Sequence, residues 1–133
     1  MRIGFIGTGR IASSVITGIC KSSIKYEKII ISSRNKSISN KLKKNFKRIS
    51  IEKDNQKIID KSNWIFLCVT PVVGEKIIKK LKFSSNQMII SFISTINLSN
   101  LKKFTKIKKN IVRAIPLPPI SLKKGPVPIF PPN

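Results

Sequence analysis

Residues 4–13 read Gly-Phe-Ile-Gly-Thr-Gly-Arg-Ile-Ala-Ser, or GFIGTGRIAS. Within this stretch Gly7-Thr8-Gly9-Arg10-Ile11-Ala12 fits the pattern G-x-G-x-x-G/A, in which each small residue has a separate task. The first glycine makes a tight turn, the second lets backbone approach a pyrophosphate, and the alanine lets a helix pack close to a sheet. Such a pattern carries meaning only when a strand precedes it and a helix follows. Both are readable here. Arg2 to Ile6 is a short apolar run suited to a strand, and Arg10 to Lys21 carries Ile11, Val15, Ile16 and Ile19 at helical spacing.

Moving outward, the alternation continues along the chain. Lys28 to Ser33 is a second strand made largely of isoleucine, Ile38 to Phe46 a helix, Arg48 to Ile51 a short strand and Gln56 to Lys61 a helical turn. Asn63 to Val69 (NWIFLCV) is almost continuously apolar, as a parallel strand buried on both faces should be. A helix over Val73 to Leu81, a strand over Gln87 to Phe92, a helix over Ser99 to Phe104 capped by Ser99, and a strand over Asn110 to Ile115 complete the series. The fold class is therefore α/β, a Rossmann-type doubly wound parallel sheet of about six strands with right-handed crossovers, followed by a Pro-rich C-terminal tail. Ligands of such sheets bind at the carboxyl ends of the strands, where the strand order reverses.

Composition narrows the function classes. A chain of 133 residues with 41% hydrophobic content suits one globular domain, and no apolar run reaches the ~20 residues that span a bilayer. The Met1 to Ile6 segment runs straight into the glycine turn with no separate apolar leader, so the expected location is the cytoplasm. Cys20 and Cys68 are read as free thiols in a reduced compartment, and no metal-ligand cluster is expected. With no histidine to serve as a base, neither cysteine suits a nucleophile's role.

The net charge of +22 raises a nucleic-acid alternative. Of 27 basic residues, however, 22 are lysine and 5 arginine, beside 26 isoleucines and 10 asparagines, the bias of an A+T-rich coding sequence. Few aromatic residues lie between the lysines to stack on bases. The charge is read mainly as a solvated surface that attracts anions.

The end of the second strand tests which dinucleotide fits. Ser32-Ser33-Arg34-Asn35-Lys36 offers no acid for a ribose 2'-hydroxyl, since none occurs between Glu27 and Glu52. Arg34 offers a planar fork and Ser33 a short hydrogen bond, which suit a 2'-phosphate. NADP is expected, with NADPH preferred over NADH.

These segments together carry a resemblance. MRIGFIGTGRIASS at the start, the Ser33-Arg34 pair, Asn55, IFLCVTP at Ile65 to Pro71, MIISFIS at Met88 to Ser94 and IVRAIPLPP at Ile111 to Pro119 resemble, in order and spacing, the N-terminal half of pyrroline-5-carboxylate reductase. The resemblance implies reduction of the C=N bond of 1-pyrroline-5-carboxylate to L-proline, the last step of proline biosynthesis. It further implies that Ile6, Gly7, Thr8, Gly9, Arg10 and Ile11 form the pyrophosphate loop and that Ser33 and Arg34 hold the 2'-phosphate. Asn55 would approach the adenosine ribose, and Cys68, Val69, Thr70 and Pro71 would run along the cofactor toward the nicotinamide. Three positions depart from the family pattern: Thr70 replaces a lysine, Thr95 a glycine, and Pro116-Leu117-Pro118-Pro119 replaces Pro-Asn-Thr-Pro. By the same resemblance Thr70, Ser94 and Thr95 are candidate neighbours of the nicotinamide, and no residue is assigned as catalytic.

Seven of eight prolines lie between Pro116 and Pro132, so the tail is expected to be extended or polyproline-like. Residues 1–115 are read as the NAD(P)-binding domain and 116–133 as a linker to a helical C-terminal domain that this chain lacks. The expected partners are a small imine substrate and either a second copy or a separate C-terminal half, with Ile115, Leu117, Ile120, Ile129 and Phe130 available as interface. Two alternatives stay open: an NADP-binding module without catalysis, and a basic nucleic-acid-binding protein.

Overall fold

The computed structural model describes residues 1–116, 118–125 and 127–131. Strands β1 (Arg2–Ile6), β2 (Lys28–Ser32), β3 (Ile49–Glu52), β4 (Trp64–Leu67), β5 (Met88–Ser91) and β6 (Ile111–Ala114) run parallel. Helices α1 (Arg10–Cys20), α2 (Lys36–Asn45), α3 (Asn55–Asp60), α4 (Pro71–Lys80) and α5 (Leu98–Thr105) join them. The sheet order is β3-β2-β1-β4-β5-β6, with β7 (Ile129–Phe130) added antiparallel to β6. The doubly wound α/β fold is thus observed, with seven strands among the described residues where about six were expected. β1 lies between β2 and β4, so the order reverses there and opens a crevice at the carboxyl ends of β1 and β4.

Strand alternation divides the core. Ile3 and Phe5 point to one side of β1 and pack with Ala12, Val15, Ile16 and Leu42 of α1 and α2. Ile6 points to the other, with Ile58, Ile65, Leu67, Ile78 and Leu101 beneath α3, α4 and α5. Phe5 and Phe66 stack with ring centroids 4.6 Å apart, fastening β1 to β4 beside the crevice. Among the described residues no helix is long and apolar enough to cross a membrane.

Several boundaries differ from the sequence reading, and the caps explain them. Asn35 Oδ1 accepts the Ile38 N–H at 3.2 Å, which starts α2 at Lys36 rather than Ile38. Asn97 rather than Ser99 caps α5, its Oδ1 accepting the Asn100 N–H at 2.8 Å. Pro71 occupies the first turn of α4, where its missing N–H costs nothing, so α4 begins before Val73 and β4 stops at Leu67.

The tail is not a plain extended strand. Residues Pro118–Leu122 form a 3-10 turn that packs on α1, a conformation that the fixed φ of proline suits as well as it suits polyproline. Contact is so close that a Cβ at Gly18 would lie 2.5 Å from the Ile120 carbonyl oxygen. The chain then returns, the Ile115 N–H donating to Pro128 O at 3.0 Å, and pairs β7 with β6. Of the apolar tail residues, Ile120 is drawn into the α1 side of the core, whereas Ile115, Ile129 and Phe130 are about half exposed. Leu117 lies outside the described residues.

Candidate functional site

The turn from β1 into α1 has the shape its glycines predict. Gly7 adopts φ +96°, a left-handed conformation costly to any residue with a Cβ. Its N–H donates to Ser32 Oγ at 3.1 Å, holding the turn against the end of β2. Gly9 is the N-cap of α1 and supplies no side-chain cap, and the first turn of that helix holds no acid. The free N–H groups and the positive end of the helix dipole are therefore open to an anion. A Cβ at Gly9 would meet nothing within 4 Å, so the space in front of this backbone is clear.

That space is a cleft of about 590 Å³ lined by Gly7, Thr8, Gly9, Arg34, Asn35, Lys36, Cys68, Val69 and Thr70. A second hollow of about 380 Å³ continues past the turn, sharing Gly9, Cys68, Val69 and Thr70 and adding Arg10, Ile11, Phe92, Ser94 and Ile115. Neither is lined by an acidic residue, while Arg34, Lys36 and Arg10 supply positive charge. The described ion pairs, Arg2–Glu27, Lys61–Glu52 and Lys79–Glu75, leave all three of these cations uncommitted.

Residues named from the sequence thus meet in one place, though not all of them. Gly7, Thr8, Gly9, Arg34, Cys68, Val69 and Thr70 line the main cleft, and Arg10 and Ile11 the second. Ile6 is fully buried in the core and reaches the site only through its backbone, its carbonyl accepting the Cys68 N–H at 2.8 Å. Ser33, Asn55 and Pro71 line neither hollow; Asn55 opens α3 and Pro71 opens α4. Asn35 and Lys36, which the sequence reading names beside Arg34 without giving them a site role, also line the cleft, at the N-terminus of α2. The sequence reading left out Ser39, a buried hydroxyl of α2 that lies 3.1 Å from Thr8 Oγ1.

Cys68 borders both hollows, and burial pushes its thiol well above the usual range. Burial also raises the Cys20 thiol, against a smaller opposing effect of its hydrogen bond with Tyr26. A protonated thiol is a poor nucleophile, so Cys68 serves as a lining group rather than a reactive one. Among the described residues no group of three His, Cys, Asp or Glu is placed to hold a metal.

Comparison with known proteins agrees with this geometry. The chain is 28% identical over 128 residues to pyrroline-5-carboxylate reductase 3 of Danio rerio, covering 94% of this chain and 44% of that protein. The crystal structure of 1-pyrroline-5-carboxylate reductase from Streptococcus pyogenes superposes with TM-score 0.79 at 26% identity, covering 98% of this chain and 48% of that one. A pyrroline carboxylate reductase of Plasmodium falciparum with NADP bound shares the fold, with TM-score 0.80 at 22% identity over 97% of this chain and 47% of its own. The chain spans about half the length of the curated relatives it matches. Residues 2–95, the segment that builds the glycine turn, the Arg34 loop and the β4–α4 turn, match the family NADP oxidoreductase coenzyme F420-dependent, and the chain belongs to that family.

Proposed function

We propose that this chain is the NADP-binding half of a reductase acting on a C=N bond, with 1-pyrroline-5-carboxylate as substrate, L-proline as product and NADPH preferred over NADH. The observation that carries the reading is the single cleft that brings the Gly7–Gly9 turn, the N-terminus of α1 and the Arg34-Asn35-Lys36 loop together with no acid among them. The residues fit the dinucleotide. Open backbone at Gly9 and the uncapped N–H groups of α1 would take the pyrophosphate, and the Arg34 guanidinium would take the 2'-phosphate.

When bound, the nicotinamide supplies the hydride. The chain's own contribution is orientation. Cys68, Val69 and Thr70 form the wall common to both hollows, and Ser94 and Ile115 line the second. Thr70 is the N-cap of α4 and makes no side-chain capping bond, which leaves its hydroxyl free to face a ligand. Among the described residues that line the two hollows no side chain is placed as a general acid, and a protonated imine needs little acid catalysis.

In this reading residues 1–115 form the cofactor domain, and the substrate is held by a second half supplied by a further domain or chain. Positioning both reactants is worth several kcal/mol of barrier, so this half binds cofactor and turns over little by itself. The changed positions Thr70, Thr95 and Leu117 favour a second reading, an NADP-binding module without catalysis. Titration with NADPH, followed by nicotinamide fluorescence, tests what the two readings share. Saturable binding in the micromolar range supports it, and absence of binding overturns it. Turnover of 1-pyrroline-5-carboxylate when a second half is supplied separates the reductase from the module.

A further inference from the structure

Three buried hydroxyls join the glycine turn to the loop that carries Arg34. Thr8, Ser32 and Ser39 are 2%, 4% and 0% exposed. Ser39 Oγ donates to the Ser32 carbonyl at 2.7 Å, so the two ends of segment 32–39 are fastened together and Arg34, Asn35 and Lys36 lie on the loop between them. Because the single hydroxyl hydrogen of Ser39 is committed to that carbonyl, Thr8 is the donor in the 3.1 Å bond between Thr8 Oγ1 and Ser39 Oγ, and the same Thr8 hydroxyl also makes a longer contact, 3.5 Å, with the Ser32 carbonyl. The result is a directed chain, Thr8 to Ser39 to Ser32, with the Ser39 backbone N–H also bonded to Asn35 O at 2.9 Å. A separate bond, Gly7 N–H to Ser32 Oγ, holds the turn itself.

Arg34 is exposed and has many rotamers, so the backbone beneath it must define where its guanidinium can reach. We infer that Ser39 is a positioning residue for cofactor choice: its hydroxyl clamps the far end of the Arg34 loop onto Ser32, and thereby sets the preference for a 2'-phosphate over a 2'-hydroxyl. The inference rests on the NADP reading above. Removing the hydroxyl opens the clamp across segment 32–39 but leaves the Gly7–Ser32 bond and the direct Thr8–Ser32 contact, and with them the pyrophosphate contacts that both cofactors share. The effect therefore falls on NADPH.

The test is titration of wild type and Ser39→Ala with NADPH and with NADH. The expected result is that Kd for NADPH rises about tenfold while Kd for NADH stays within about twofold. A merely structural role would weaken both cofactors equally, and that outcome, or an unchanged ratio, overturns the inference. Should Ser39→Ala fail to fold, Thr8→Val removes the first donor of the same chain and Thr8→Ser keeps it; only Val should lower the NADPH-to-NADH preference, and equal behaviour of the two overturns the inference. A wild type that prefers NADPH while Ser39→Ala keeps that preference defeats this inference alone, whereas a wild type that binds neither cofactor defeats the NADP reading with it.

Discussion

Gly7 passes so close to Cys68 that a Cβ at position 7 would stand 2.8 Å from the Cys68 carbonyl oxygen. Close approach and positive φ coincide, because the turn must reverse the chain beside the β4–α4 connection. Gly7→Ala should therefore cost roughly 2–4 kcal/mol of stability, combining backbone strain and overpacking. The thermal midpoint would fall by about 7–14 °C. Gly9 differs: its φ of −78° and ψ of −170° suit any residue, and its front is open. Gly9→Ala should leave the midpoint within about 2 °C and weaken NADPH binding about tenfold or more, because the added methyl occupies the pyrophosphate's space. Calorimetry and cofactor titration on both variants check the contrast.

The tail's attachment to α1 depends on Gly18. A methyl there would meet the Ile120 carbonyl, so Gly18→Ala should lift the 3-10 turn and cost about 1–3 kcal/mol. Limited proteolysis should then cut within residues 118–125 sooner than in the wild type.

Both thiols and the Tyr26 phenol hold their protons more firmly in the folded chain, Tyr26 being pushed up to about 12, chiefly by burial and then by its bond with Cys20. Groups raised on folding contribute stability that is complete below their unfolded values and lost as pH climbs through the folded ones. For Cys68 that loss begins near the ordinary thiol value of 9.0. Thermal midpoints of wild type and Cys68→Ser should run parallel from pH 6 to about pH 8, with the wild type falling relative to the variant above about pH 9.

Net charge of +22 against the three ion pairs among the described residues, which lie at the surface with Glu52 partly covered, predicts an unusual response to salt. Screening weakens those pairs slightly and relieves self-repulsion far more, so raising NaCl to about 0.5 M should increase the thermal midpoint. A midpoint that falls would mean that the lysines are engaged in stabilising contacts.

Much of the fold was legible because two periodicities alternate cleanly in this chain. Ile3 and Phe5 at strand spacing, then Ile11, Val15 and Ile16 at helical spacing, leave few other arrangements around the glycine turn. Caps were less legible: Asn97 and Ser99 are both good N-cap residues two positions apart, and the chain uses Asn97, whose Oδ1 takes the Asn100 N–H. The cleft followed from the motif, but Asn35 and Lys36 joined it through the early start of α2, a consequence of the Asn35 cap. Ser39 carried no sequence signal, since its partners Thr8 and Ser32 come from two other elements. The tail's proline content was visible while its return onto β6 was not, because the pairing of Ile115 with Pro128 is set by tertiary closure.

We propose that a phosphorylated dinucleotide binds in the Gly7–Arg34 cleft, a reading checked by titrating wild type and Arg34→Ala with NADPH and NADH. Micromolar binding of NADPH by the wild type, a loss of about 1–3 kcal/mol on removing Arg34, and unchanged NADH binding are the predicted results. No binding of either cofactor, or equal weakening of both by Arg34→Ala, would contradict it.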